Sequence, residues 1–191
     1  RDSPECDRIS RSDAGDVVRF DLLNENLATI ETSGVDVNAT AAWDTGIGVF
    51  TANWLVNWLN DYTQTTDTGV EDDRTGTVAC DVCSYGGYPE IKSTFDLILS
   101  QDSWSTTLSW RYLDEMDVQD EIGFDEFTDT TDAVNYFDFL FTYGWDNISL
   151  TFVVENFTDE DPPYVPAIST NTSPIFDPLG RFYSLRFKWS I

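Results

Sequence analysis

Histidine is absent from this 191-residue chain, and ten Lys plus Arg stand against thirty-five Asp plus Glu. Without imidazole the usual general base is missing, and carboxylates are so numerous that no pair stands out as acid and base. No catalytic residue is assigned, and enzyme chemistry is not expected. The formal net charge of −25 repels phosphate instead of releasing its counterions, which disfavours nucleic acid as a partner. There are three cysteines, Cys6, Cys80 and Cys83, too few without His to complete a zinc site, so neither a metal centre nor a cofactor is expected. No apolar run approaches the roughly 20 residues of a membrane-spanning helix. The chain starts at Arg1 with neither an initiator Met nor a signal-peptide pattern, which reads as a piece of a longer polypeptide or a processed form.

What is present is apolar material in strict alternation. At 41% hydrophobic and 15% aromatic, the chain has too much to bury to be disordered despite its charge. Period-two alternation predicts seven strands, at about 30–43, 47–61, 90–100, 104–113, 137–143, 148–156 and 180–191. The last sets Tyr183, Leu185, Phe187, Trp189 and Ile191 against Ser184, Arg186, Lys188 and Ser190. In the first, Val35, Val37, Ala39, Ala41 and Trp43 oppose Asp36, Asn38 and Thr40. Leu55 and Leu59 fall on the polar side of the second, against Phe50, Ala52, Trp54, Val56 and Trp58. Bulky aromatics on one face and charge on the other suit a wall with lipid outside and water inside.

The connections alternate short, long, short, long, short, long. In an up-and-down antiparallel barrel every second connection lies on the same side, and bacterial outer-membrane barrels have short periplasmic turns and longer extracellular loops. The expected fold is therefore all-β: an antiparallel up-and-down transmembrane β-barrel segment in the bacterial outer membrane. The terminal strand then runs inward, and Trp43, Trp104, Trp145 and Trp189 fall near the periplasmic rim as an aromatic girdle. Seven strands do not close such a wall, since an open sheet leaves two unpaired edges. Residues 1–29 read as the remnant of an extracellular loop with a short pairing at Val17–Phe20, and residues 30–191 as the C-terminal strands of a larger barrel.

Five stretches carry a resemblance. They are Ile30-Glu-Thr-Ser-Gly-Val-Asp-Val-Asn38, Tyr136-Phe-Asp138, Val154-Glu-Asn-Phe-Thr-Asp159 with Asp161-Pro-Pro-Tyr164, Phe176-Asp-Pro-Leu-Gly-Arg-Phe182, and Leu185-Arg-Phe-Lys-Trp189. In order and spacing they resemble the C-terminal part of the barrel of TonB-dependent outer-membrane receptors. Phe157-Thr158 stands where that family commonly has Leu-Phe, and Ile191 stands where it usually has an aromatic. The resemblance implies a roughly 22-stranded barrel with a plug. It implies active import of a scarce ligand such as a siderophore, a cobalamin or an oligosaccharide. Implied partners are the outer-membrane lipid and lipopolysaccharide, the plug domain and upstream strands of the same polypeptide, the TonB complex acting through the missing N-terminal part, and the small-molecule ligand.

Cys80-Asp-Val-Cys83 sits in the long segment between the second and third strands, where a small disulfide is the better reading than half a metal site. Cys6 is left over, and its partner is expected upstream. The acidic run Asp114, Glu115, Asp117, Asp120, Glu121, Asp125, Glu126, Asp129 and Asp132 lacks the spacing of a dedicated calcium loop and reads as a solvated surface. Trp58, Tyr62, Tyr85, Tyr88 and Tyr164 are candidates either for stacking on a ring-shaped ligand or for an upper girdle. Asp36, Asn38, Asn53, Asn57, Lys92, Asp96, Arg111, Asp138, Glu155, Arg186 and Lys188 read as a polar lining from which no ligand-binding residue is singled out. The competing expectation is an acidic secreted β-sandwich that binds carbohydrate.

Overall fold

The computed structural model describes residues 9–20, 29–65, 69–78, 86–118, 130–165 and 173–190. Its strands are β1 (Ile9–Arg11), β2 (Val17–Phe20), β3 (Thr29–Thr45), β4 (Gly48–Thr65), β5 (Glu71–Asp73), β6 (Thr77–Val78) and β7 (Gly87–Tyr88). They continue as β8 (Ile91–Ser100), β9 (Trp104–Leu113), β10 (Met116–Val118), β11 (Thr130–Thr131), β12 (Val134–Trp145), β13 (Ile148–Glu155) and β14 (Phe182–Trp189). Among the described residues there is no helix. The chain is all-β.

Seven long strands form one antiparallel meander in the order β3-β4-β8-β9-β12-β13-β14, and β5 adds to the far end of β4. These are the seven strands expected from alternation. β12 begins at Val134, earlier than its alternation suggests, because Val134 pairs with Leu113 and carries the ladder outward. The sheet does not close: β3 and β14 are its edges. Residues 9–20, expected to be loop with a short pairing, form a separate hairpin in which Ile9 faces Phe20.

Register fixes both faces. Trp43, Phe50, Leu99, Thr106, Phe141, Phe152 and Leu185 form one continuous row of partners across all seven strands. Asp36, Asn57 and Lys92 form a row on the opposite face, and Thr40, Asn53, Asp96, Ser109 and Asp138 another. Because a one-residue slip would invert a strand, agreement over six successive pairings means the alternation sets the register. Leu55 lies on the polar face between Asn38 and Thr94. One irregularity occurs, where Ser33 and Gly34 oppose Asp61 and Leu59 and leave Asn60 as the extra residue of a bulge. A Cβ on Gly34 would lie 2.4 Å from the Trp58 carbonyl oxygen, so only glycine fits there.

The short turns lie at one end of the sheet and the long connections at the other. Trp43, Trp104, Tyr143, Trp145 and Trp189 all sit near the short-turn end, with Trp43 stacked on Phe50 at 5.7 Å and Tyr143 against Trp145 at 5.6 Å. At the other end the long connections build a second sheet, β11-β10-β6-β7, in which β10 and β6 run parallel. Its strands are two or three residues long, too short for alternation to reveal.

The buried core lies between this cap and the outer ends of β9 and β12. Val78, Leu113, Met116, Val134, Tyr136, Val165 and Phe176 form its cluster, with Val118 and Ile175 packed against it. Large aliphatic or aromatic side chains buried this fully contribute about 1.5–3 kcal/mol each, so the cap is held by packing against Leu113, Val134 and Tyr136 of the meander. The seven-stranded sheet is different. Strand contacts run between hydrogen-bonded neighbours, and Trp54, Leu108, Phe141, Phe152, Leu185 and Phe187 of its apolar face remain exposed.

Candidate functional site

The polar face is a hydrogen-bonded surface, built from residues that alternation places there. Thr40 Oγ1 donates to Asn53 Oδ1 (3.0 Å), and Asn57 Nδ2 donates to Asp36 Oδ1 (2.6 Å). Ser109 Oγ donates to Asp96, and the hydroxyls of Thr142 and Thr151 meet at 3.0 Å. Short polar side chains are thus satisfied by cross-strand partners.

Where this face meets the cap, one arginine gathers two carboxylates. Arg111 on β9 reaches diagonally to Asp138 on β12, donating from Nε (2.7 Å) and Nη2 (3.1 Å), and its Nη2 also donates to Asp177 Oδ2 (2.6 Å). The fork geometry is the strong bidentate form of the pair. The guanidinium lies over the ring of Tyr136, 5.0 Å from its centroid, which adds a cation–π contact. Tyr136 Oη in turn accepts the Asp177 N–H (3.2 Å), and Asp138 Oδ1 accepts the Asn156 N–H (2.8 Å). A cleft of about 430 Å³ opens beside this group, lined by Thr107, Ser109, Arg111, Asp138, Leu140, Val153, Glu155 and Asp177.

The segment after β13 is shaped to reach this point. Asn156 takes φ +49°, and its side chain bridges its own turn, with Oδ1 accepting from Glu160 N–H (2.9 Å) and Nδ2 donating to Glu160 O (2.8 Å). Asp159, at φ +64°, accepts the Arg181 N–H (2.7 Å), and Arg181 Nε donates to Phe157 O (2.9 Å). A Cβ on Gly180 would stand 2.8 Å from Asp159 Oδ1, so a larger residue there would displace the Asp159 carboxylate. Three of the five stretches singled out in the sequence, around Tyr136–Asp138, Val154–Asp159 and Phe176–Phe182, therefore converge on one corner.

The polar lining Asp36, Asn38, Asn53, Asn57, Lys92, Asp96, Arg111, Asp138, Glu155, Arg186 and Lys188 shares one face, but only Arg111, Asp138 and Glu155 of it line the cleft. Asp177, Tyr136 and Asn156 complete the corner. No pairing of Asp177 with Arg111 was legible, since 66 residues separate them. The stacking candidates do not gather. Tyr62 of β4 stacks on Tyr88 of the cap at 4.3 Å, Trp58 is exposed on the apolar face, and Tyr164 lies beside Pro163. Cys6, Cys80, Cys83 and Tyr85 lie outside the described residues, as do Asp120, Glu121, Asp125, Glu126 and Asp129.

Asp114, Glu115 and Asp117 line a polar cleft of about 170 Å³ with Glu90, Thr75 and Gly76. Asp114 is already engaged, accepting from Tyr112 Oη (2.7 Å). Among the described residues no three Asp, Glu, Cys or His side chains converge on a position able to hold a metal ion. No protein-family model, no curated protein and no solved structure matches the chain.

Proposed function

We propose that this chain is part of the wall of an outer-membrane β-barrel receptor of the TonB-dependent kind, one that imports a scarce small molecule using energy from the inner membrane. The observation that carries the reading is the division of the fold. A seven-stranded meander leaves most of its apolar face uncovered, while the packed core gathers on the opposite face, between the cap and the outer ends of β9 and β12. An aqueous sandwich would bury that face against a second sheet. The cap's strands of two or three residues offer no such layer.

The short-turn end would face the periplasm, with Trp43, Trp104, Trp145 and Trp189 at the lipid boundary, and the cap would face outside. The polar face would line the lumen, where Arg111 fixes the last exterior segment to the wall through Asp177. The convergence of three family-like stretches on that corner supports the receptor reading over a generic barrel. No catalytic step is assigned to the chain.

The test is to prepare residues 1–191 with and without detergent, following size by light scattering and strand content by far-ultraviolet circular dichroism. Aggregation in buffer with β-structure recovered in detergent is expected. A monodisperse β-rich monomer in plain buffer would refute the wall reading and favour a carbohydrate-binding sandwich.

A further inference from the structure

Leu140 and Val153 depart from the polar face on which they stand. They pair with each other across β12 and β13, and Leu140 pairs with Thr107 on β9. Two aliphatic side chains and a hydroxyl thus form the floor of the cleft beside Arg111. The cleft, of about 430 Å³, falls within the roughly 300–1,000 Å³ of small-molecule sites. Its walls are the interior strands β9, β12 and β13, together with Asp177 on the segment after β13. No wall is an edge strand, so neighbouring strands added to the sheet would leave the cleft as it is.

One step outward along the same strands, the lining turns acidic. Asp138 and Glu155 each follow the Phe139–Val154 pair in the ladder, so two carboxylates stand on adjacent strands of one face. Asp177 is the third, held in place because its N–H donates to Tyr136 Oη. Arg111 gathers Asp138 and Asp177, while Glu155 has no cationic partner among the described residues. Three carboxylates therefore surround one guanidinium, and negative charge remains in excess. Like charges on facing strands are destabilising, so a bound cation would relieve a repulsion that the fold itself leaves in place.

The lining also says which cation. Among the described residues no three carboxylates converge closely enough to hold a bare metal ion. An ammonium needs no such convergence, since its three N–H groups reach separate acceptors. Apolar surface lies on both sides of the free carboxylate: Leu140 and Val153 on one side, and Pro178, Leu179 and Phe182 on the other, where a second cleft of about 210 Å³ shares Glu155 and Asp177. Carboxylates set between aliphatic walls suit a charged amine that carries a hydrocarbon stem.

We propose that this cleft binds a small organic amine, with its ammonium held by Glu155 and Asp177 and its stem laid on Leu140 and Val153. As a statement of what is imported, this rests on the receptor reading; as a binding site, it does not. Arg111 fixes the two other carboxylates, and Glu155 supplies the charge that selects the ligand.

The test uses the full chain in the medium in which it folds, with 1,5-diaminopentane as probe and two five-carbon controls, neutral 1,5-pentanediol and the dianion glutarate. Binding is read by isothermal titration calorimetry at physiological salt. The diamine should bind saturably, and at least about tenfold more tightly than either control. Glu155→Gln should weaken the diamine roughly tenfold, whereas Asp102→Asn, which removes the same charge from the exposed Gln101–Ser103 turn, should leave it unchanged. Val153→Trp fills the floor without altering charge and should abolish binding, with circular dichroism reporting that the sheet persists. Equal affinity for diamine and diol would overturn the proposal. So would an equal loss in D102N and E155Q, since the field of the whole acidic chain would then be the attraction, or full binding by a folded V153W. A chain that folds in plain buffer and selects the diamine would remove the membrane reading and leave the site standing, whereas a detergent-dependent chain that selects nothing would do the reverse.

Discussion

Leu108 separates a lipid-facing wall from a water-facing one. It is the fifth residue of β9 (Trp104–Leu113), directly after the Gln101–Ser103 turn, and it is 44% exposed on the apolar face. At about 3.4 Å per residue it lies about 17 Å from Ser103 at the end of the turn, or about 13 Å deep for a tilt near 40°. An apolar band about 25 Å tall then has its midplane near this side chain. Replacing Leu108 with Arg should cost about 2–4 kcal/mol there, equivalent to roughly 30- to 1,000-fold in the folding equilibrium. Thr107→Arg, one residue earlier, points into the polar cleft and should cost under about 1 kcal/mol. The assay is a urea titration of the chain in lipid vesicles, followed by tryptophan fluorescence. If Leu108 faces water, the same substitution at a surface position should fall within about 0.5 kcal/mol. A loss that small for L108R, or a larger loss for T107R, would refute the reasoning.

Other perturbations probe the corner, the turn, the cap and the loop. Asp138 accepts two donors from Arg111 and one from Asn156, so Asp138→Asn should destabilise by about 1–3 kcal/mol in the same titration and by more than Asp177→Asn, which weakens one arginine contact. Gly48 sits at φ +133° with a would-be Cβ 2.4 Å from the Ser100 carbonyl oxygen, so Gly48→Ala should cost on the order of 1–3 kcal/mol of unfolding free energy. Asp73 accepts the Thr75 N–H (3.0 Å), and hydrogen bonds from the Thr75 backbone and hydroxyl hold its carboxyl below the ordinary 3.8. Its folded pKa being the lower, its stabilisation is present above 3.8 and fades as pH falls through the folded value. The midpoint difference between the native chain and Asp73→Asn should therefore shrink below that pH. Alkylation and mass analysis of the unreduced chain should find Cys80 and Cys83 protected from iodoacetamide and reactive only after reduction.

The long strands were readable because alternation acts at every residue. Tyr183, Leu185, Phe187 and Trp189 already declare a face, and each neighbour that alternates likewise has only one register that keeps apolar rows together. The two-residue β6, β7 and β11 carry no such signal, since their existence depends on Val78, Met116 and Phe176 meeting across long connections. The corner was half readable. Tyr136 and Asp138 stood out as a short stretch and Arg111 as a polar-face residue, but the fold of the Asn156 turn decides that Asp177 arrives at Arg111. Positive φ at Asn156 and Asp159 has no periodic signature, although Asn and Asp are the residues that tolerate it.

In the proposed wall the two faces of the meander meet two different solvents. After replacement of Cys6, Cys80 and Cys83 by Ser, single nitroxide-labelled cysteines placed along β13 from Ile148 to Glu155 would report accessibility to oxygen and to a water-soluble nickel chelate in vesicles. Oxygen access should peak at 148, 150, 152 and 154 and nickel access at 149, 151, 153 and 155, a period of two with opposite phase. Nickel reaching both sets equally, or the two probes rising and falling together, would contradict the account.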